Sequence, residues 1–152
     1  MTRLIVVLVL AFLLPGCSEA LAQQKACPAI ETKVPDARFK PGQVWSYRNR
    51  PGESSSTLTI LQIDRTEKSG VIIHVRVDGL SAHNPHGDLV PSVEHMPFTR
   101  DAMLLSTVRL LRTESSIPML EGYENWRSAC GGVYTISVAD AVSVMEKTLN
   151  KP

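Results

Sequence analysis

Hydrophobic and polar positions switch to a period of two at Gln43. In the run QVWSYRN, Trp45 and Tyr47 share one face and Val44 and Ser46 the other. A second run, TLTILQID from Thr57, is rich in β-branched residues. A third, VIIHVRVD from Val71, alternates most clearly: Val71, Ile73, Val75 and Val77 point one way, and Ile72, His74, Arg76 and Asp78 the other. Arg50-Pro51-Gly52-Glu53 and Lys68-Ser69-Gly70 separate the runs with turn chemistry, because proline presets φ and glycine accepts positive φ. Connections this short make neighbouring strands antiparallel. Residues 43–78 are therefore predicted to form a three-stranded meander with one buried face.

Beyond it, GLSAHNPHGDLVPS (79–92) is a loop on composition, followed by a short strand from Val93 to Phe98. Thr99 offers a hydroxyl cap and Asp101 a first-turn carboxylate to a helix predicted to reach about Arg112. Leu104, Val108 and Leu111 form its apolar stripe, with Leu105 beside them and Arg109 and Arg112 at its C-terminal end. Glu114 to Pro118 break the pattern, and Leu120 to Ala129 fit a short helix carrying Tyr123 and Trp126. Gly131-Gly132 end it, and VYTI from Val133 reads as another strand. Ser137 and Asp140 then open a helix on which Val138, Ala141, Val142, Met145 and Leu149 recur at helical spacing. Strands first and helices later predict an α+β fold, an antiparallel meander or roll of about five strands with two to three C-terminal helices.

The N-terminus follows a different pattern. Arg3 precedes an unbroken apolar stretch from Leu4 to Leu14 that ends at Pro15-Gly16, which matches a secretory signal and is too short to span a bilayer as a helix. Two processing signals follow it. Leu14-Pro15-Gly16-Cys17 resembles a lipobox, with Pro15 where that pattern prefers Ala, Ser or Thr, and would place a lipid on Cys17; Ala20-Leu21-Ala22 fits cleavage that leaves Gln23 as the new terminus. Release is the better match, and lipidation stays open. The expected organisation is a signal peptide over 1–22, an N-terminal arm over 23–40 with Pro28 and Pro35, and a single α+β domain over 41–150. The expected location is exported: periplasmic, or anchored to a membrane only if Cys17 is acylated.

Export changes the reading of the cysteines. With Cys17 removed or acylated, Cys27 and Cys130 remain as a pair, and an even pair in a secreted chain points to a disulfide that pins the arm beside Trp126 to Gly132. Sixteen basic and fifteen acidic residues nearly cancel. No run of Lys or Arg forms a stripe able to neutralise successive phosphates, so nucleic acid is not an expected partner.

Phe39-Lys40-Pro41-Gly42-Gln43-Val44-Trp45-Ser46-Tyr47, continuing through Arg50-Pro51-Gly52-Glu53 to Leu58-Thr59-Ile60, resembles a group of small uncharacterised bacterial proteins with a KPGQVWSY motif and a following RPGE turn. Pro97-Phe98, Gly122-Tyr123, Trp126-Arg127 and the stretch from Thr135-Ile136 to Ala141 are similar to the later part of that group, so the resemblance covers most of residues 39–145. It implies a compact domain and brings no catalytic residue. The exported N-terminus is the expected point of departure from cytoplasmic relatives. In the motif itself, Pro41 and Gly42 bend the chain before Val44 enters the sheet, and Trp45 and Tyr47 serve either as core and rim packing or as an exposed aromatic surface.

Candidate chemistry is sparse. His83, His86 and His95, with Asp88 or Glu94 as carboxylate partners, are the most metal-like set, but Pro85 and Gly87 make their segment an irregular loop, whereas zinc motifs fix ligand geometry on a helix or knuckle. A nucleophilic Cys130 conflicts with export and with an available partner at Cys27. Ser54 to Ser56 lie in a hairpin loop without a nucleophile elbow, and Glu121 and Glu124 fit a solvated helix face better than a glycosidase pair. No Walker loop or dinucleotide fingerprint is present, so no cofactor is expected. The sequence thus favours a noncatalytic envelope protein that binds another protein or envelope macromolecule, as an inhibitor or immunity-type partner, through the 50–56 and 79–92 loops with Arg48, Arg50, His83 and His86. The alternative is a small metal-dependent hydrolase built on the loop histidines.

Overall fold

A computed structural model describes residues 27–117 and 121–151. The segment expected to direct export, with Cys17 and the expected boundary at Ala22, lies outside the described residues. The elements run β1 (Ile30–Glu31), β2 (Gln43–Tyr47), β3 (Thr57–Thr66), β4 (Gly70–His83), β5 (Leu89–Thr99), α1 (Arg100–Ser106), β6 (Thr107–Thr113), α2 (Glu121–Ser128) and α3 (Val138–Leu149). One antiparallel sheet has the order β5-β4-β3-β2-β6, with β1 added against β3. The fold is α+β, as the sequence order implies, with an antiparallel sheet of six strands and three mostly C-terminal helices among the described residues.

Cross-strand register explains which side chains meet. Leu58 lies opposite Val77, Ile60 opposite Val75 and Ile63 opposite Ile73, while Met96 and Phe98 continue the same rows on β5. These residues form one buried face, covered by Ala102 and Met103 of α1 and by Val138, Ala141 and Val142 of α3. Residues before the meander contribute as well: Val34 and Phe39 enter this core, and Phe39 meets Trp45 edge to face at 5.6 Å between centroids. Trp45 is buried and donates to Gln43 Oε1, which makes it a packing residue with its indole donor satisfied.

The meander has two buried faces rather than one. Ile72 and His74, expected to point outward, are fully covered, because α2 lies across the second face of the sheet. The 79–92 segment also differs from a long loop. β4 continues to His83, β5 starts at Leu89, and only a turn over 84–88 remains, held by Asn84 Oδ1 accepting from the His86 and Asp88 amides. The strand expected at Val133 is reduced to a single parallel bridge between Tyr134 and Phe98.

The helix expected from Thr99 to Arg112 divides in two. Its start follows the sequence signals: Thr99 caps the Ala102 amide, and Asp101 lies in the first turn. After Ser106 the chain turns extended at Thr107, and residues 107–113 become β6 beside β2. Ser106 Oγ and Thr107 Oγ1 bond back to the Ala102 and Met103 carbonyls, which closes the last turn. The free side of β2 then supplies backbone partners to a segment rich in β-branched and leucine residues. The supposed apolar stripe is consequently exposed at Leu104, Val108 and Leu111.

Two devices fix the ends of β2. Gly42 has φ +87°, and a side chain there would clash with the Glu114 carbonyl, whose residue also donates its amide to Gly42. In the RPGE turn, Arg50 pairs with the buried Glu53 and reaches Glu146 of α3 at 2.7 Å, while Glu53 accepts from the Ser81 amide. The Arg50 guanidinium holds the Glu53 carboxyl below its usual range. Arg50→Ala strands a buried carboxylate and is expected to destabilise by about 3 kcal/mol in urea unfolding, with Glu53→Gln in the same chain recovering part of the loss. An unchanged midpoint in the single variant would show that the pair contributes nothing to folding.

Candidate functional site

A polar cluster lies on the second face of the sheet, beneath α2. Gln62 and His74 are register partners, and Asp64 lies two residues along β3 from Gln62, so alternation places all three on this face. His95, two residues before Pro97 on β5, joins them. Asp64 and His74 are completely buried. Asp64 accepts from Gln62 Nε2 at 2.9 and 3.0 Å, from the Lys33 amide at 3.0 Å and from the Tyr123 hydroxyl at 2.7 Å. Tyr123 and Trp126 of α2 meet the His74 ring edge-on, with centroids at 5.0 and 4.7 Å. Gly122 makes this approach feasible, since a Cβ there would sit 2.8 Å from His95 Cβ.

A line of polar groups runs through the cluster: Asp64, His74, His95. His74 Nδ1 and His95 Nε2 are 2.9 Å apart. His74 Nε2 is 3.4 Å from Asp64 Oδ2 but without the alignment of a hydrogen bond, so it has no hydrogen-bond partner among the described residues. The network assigns the His74 hydrogen to Nε2, facing the carboxylate, with Nδ1 accepting from His95. Burial by itself would raise the Asp64 carboxyl, yet His74, Tyr123, Gln62 and the Lys33 amide together bring it down to about 2. Burial, and then the neighbouring His74, lower His95 to about 4. Tyr123 is raised well above the usual phenol range by burial and by the Asp64 carboxylate that it bonds.

These groups form a latch. Asp64 is saturated by donors and Tyr123 by its acceptor, and among the described residues no serine or cysteine nucleophile bonds either imidazole. The cluster joins the arm at Lys33, the sheet, and α2, whose far end is tied back by the Cys27–Cys130 disulfide with Cα atoms 5.1 Å apart. The expected pairing of these cysteines is thus present, and a disulfide is compatible with an oxidising, exported location. Trp126 donates to the Gly132 carbonyl at 2.8 Å and divides two clefts. One, about 510 Å³, contains His95, Met96 and Met145; the other, about 530 Å³, borders the disulfide.

The loop histidines do not join this cluster. His83 and His86 are exposed around the 84–88 turn, while His95 pairs with His74. Asp88 accepts from Asn84, and Glu94 from Ser92. Among the described residues no group of three His, Cys, Asp or Glu is arranged to hold a metal ion. Arg48 is exposed and donates to the Leu105 carbonyl, whereas Arg50 is committed to Glu53 and Glu146. Glu121 and Glu124 are exposed on α2. Comparison with protein-family models, with curated proteins and with solved structures finds no match.

Sequence reading passed over Asp64, His74 and Tyr123. The one available signal was a histidine on the nominally outer face of β4; Asp64 shares the alternation of Leu58 and Ile60, and it reaches the His74 face only through the register shift between Ile60 and Gln62. Tyr123→Phe removes a donor from a buried carboxylate and is expected to cost about 1–2 kcal/mol in thermal or urea unfolding. For His95 the folded value lies below the ordinary 6.5, so the unfolded chain binds more protons between the two values. Its contribution is complete above about 6.5 and is lost as pH falls towards about 4. His95→Gln keeps a donor to His74 and should flatten stability across that window; an equally steep acid limb would place the sensitivity elsewhere.

Proposed function

We propose that this chain is a noncatalytic exported protein that binds a partner polypeptide along the open edge of its sheet. The observation that carries this reading is β6. Among the described residues it is the outermost strand beside β2, and Val108, Leu110 and Leu111 are 58, 42 and 38 % exposed, next to Leu105 of α1 at 59 %. A strand edge with unpaired backbone groups and apolar side chains is a template for an added strand, and monomeric proteins usually blunt such edges. The opposite edge is blunted here, since Tyr134 exchanges hydrogen bonds with Pro97 and Thr99 on β5.

Charge selects the occupant. Arg48, Arg109 and Arg112 border the patch, and Glu114 pairs with Arg112 alone among the described residues. A second copy would bring this cationic excess against itself, whereas an extended segment mixing apolar and acidic residues complements both features. Export is part of the proposal: the signal-like N-terminus and the disulfide support it.

Photo-crosslinking from position 110 in the producing cell tests the reading. The expected outcome is an adduct whose crosslinked peptide is apolar and acidic, weakened about tenfold or more by Arg109→Glu with no change in unfolding midpoint. Self-adducts would transfer the site to a homodimer. Adducts no more frequent than from an exposed position on α3 would remove the edge as a docking site.

A further inference from the structure

We propose that the cleft beside the Cys27–Cys130 disulfide binds a single-chain anionic amphiphile, with its apolar body against Ile72, Trp126 and Val133 and its acidic head between Lys68 and Arg127. The cleft, about 530 Å³, is of the size that holds small ligands and draws its walls from β1, the β3–β4 turn, Ile72 of β4, Thr99 of β5, α2 and the 130–135 segment. Among the described residues its charged lining is Lys68 and Arg127, with no Asp or Glu. Lys68 makes no ion pair among the described residues, and Arg127 approaches Glu124 only at 4.0 Å with both side chains exposed, a contact of little energetic weight. Two cations at an apolar cleft without acidic compensation favour a ligand that carries a negative charge at one end.

The aromatic wall is preset. The Trp126 indole occupies the space that a side chain at Gly131 would need, and its N–H is satisfied by the Gly132 carbonyl. Its ring therefore offers an apolar surface without an unmet donor. The disulfide completes the wall by holding residues 27 and 130 together across a sequence separation of 103. The site is remote in the sheet order from β6, so it is independent of the partner-binding edge.

The test is calorimetric titration of the disulfide-linked chain, lacking the signal segment, with laurate below its micelle-forming concentration. Saturable binding with a change in Trp126 fluorescence is expected. The double variant Lys68→Glu, Arg127→Glu should weaken it about tenfold or more, while Arg109→Glu on β6 leaves it unchanged. Dodecyltrimethylammonium, with the same chain and the opposite charge, should not compete. Phosphatidylglycerol vesicles distinguish the source: cosedimentation abolished by the double variant assigns the chain to a bilayer lipid, and binding of free laurate alone assigns a diffusible amphiphile. Absence of saturable laurate binding, or binding insensitive to both charge reversals, overturns the proposal.

Discussion

A carboxylate withdrawn from water must find its hydrogen bonds inside the protein, and Asp64 finds them in three parts of the chain. Gln62 approaches from the same strand, the Lys33 amide from the N-terminal segment, and the Tyr123 hydroxyl from α2. Lys33 adopts φ 57°, a left-handed conformation unusual for a side chain of that size, and its amide bond to Asp64 together with the Val34 amide bond to Ile63 holds it there. One buried charge thereby sets where the arm runs, where α2 lies and which face of the sheet becomes a second interior. The histidine pair and the divided clefts follow from that placement.

The disulfide and the latch act on the same part of the fold. Short α2 has one buried side chain, Tyr123, which is too little apolar contact to keep eight residues on a sheet by packing alone. The Tyr123–Asp64 bond, the aromatic contacts of Trp126 and the covalent link at Cys130 supply what packing does not. On the other face the balance is different. There α1 and α3 bury continuous apolar surface against Leu58, Ile60, Ile73 and Val75, with the Arg50–Glu146 pair fastening α3 to the β2–β3 connection. The sheet is thus held by apolar burial on one side and by a saturated polar network on the other.

Its two edges are unequal for a local reason. The segment after α2 bonds to β5 and closes that side, while β6 arrives by a different route: a helix that stops after two turns and hands its residues to β2. Adjacent Leu110 and Leu111 cannot both face the core of a strand, and register shifts at Val44/Trp45 and Ser46/Tyr47 add further irregularity. Apolar side chains that a longer helix would have buried are left at the surface.

Local signals in the sequence settled much of the architecture. The period-two runs placed β2, β3 and β4, the turn residues made them antiparallel, and the Thr99 and Ser137 caps fixed the starts of α1 and α3, because each depends on contacts within a few residues. The lone cysteine pair was legible in the same way. The end of α1 was not, since helix spacing and a strand at an edge read alike until β2 presents unpaired backbone groups. Nor was the latch legible: alternation assigns His74 to the outer face but Asp64 to the face of Leu58 and Ile60, and only the register shift between Ile60 and Gln62 brings the two together. Only the packing of α2, distant in sequence, excludes water from that face and turns surface polar residues into a buried, mutually dependent network.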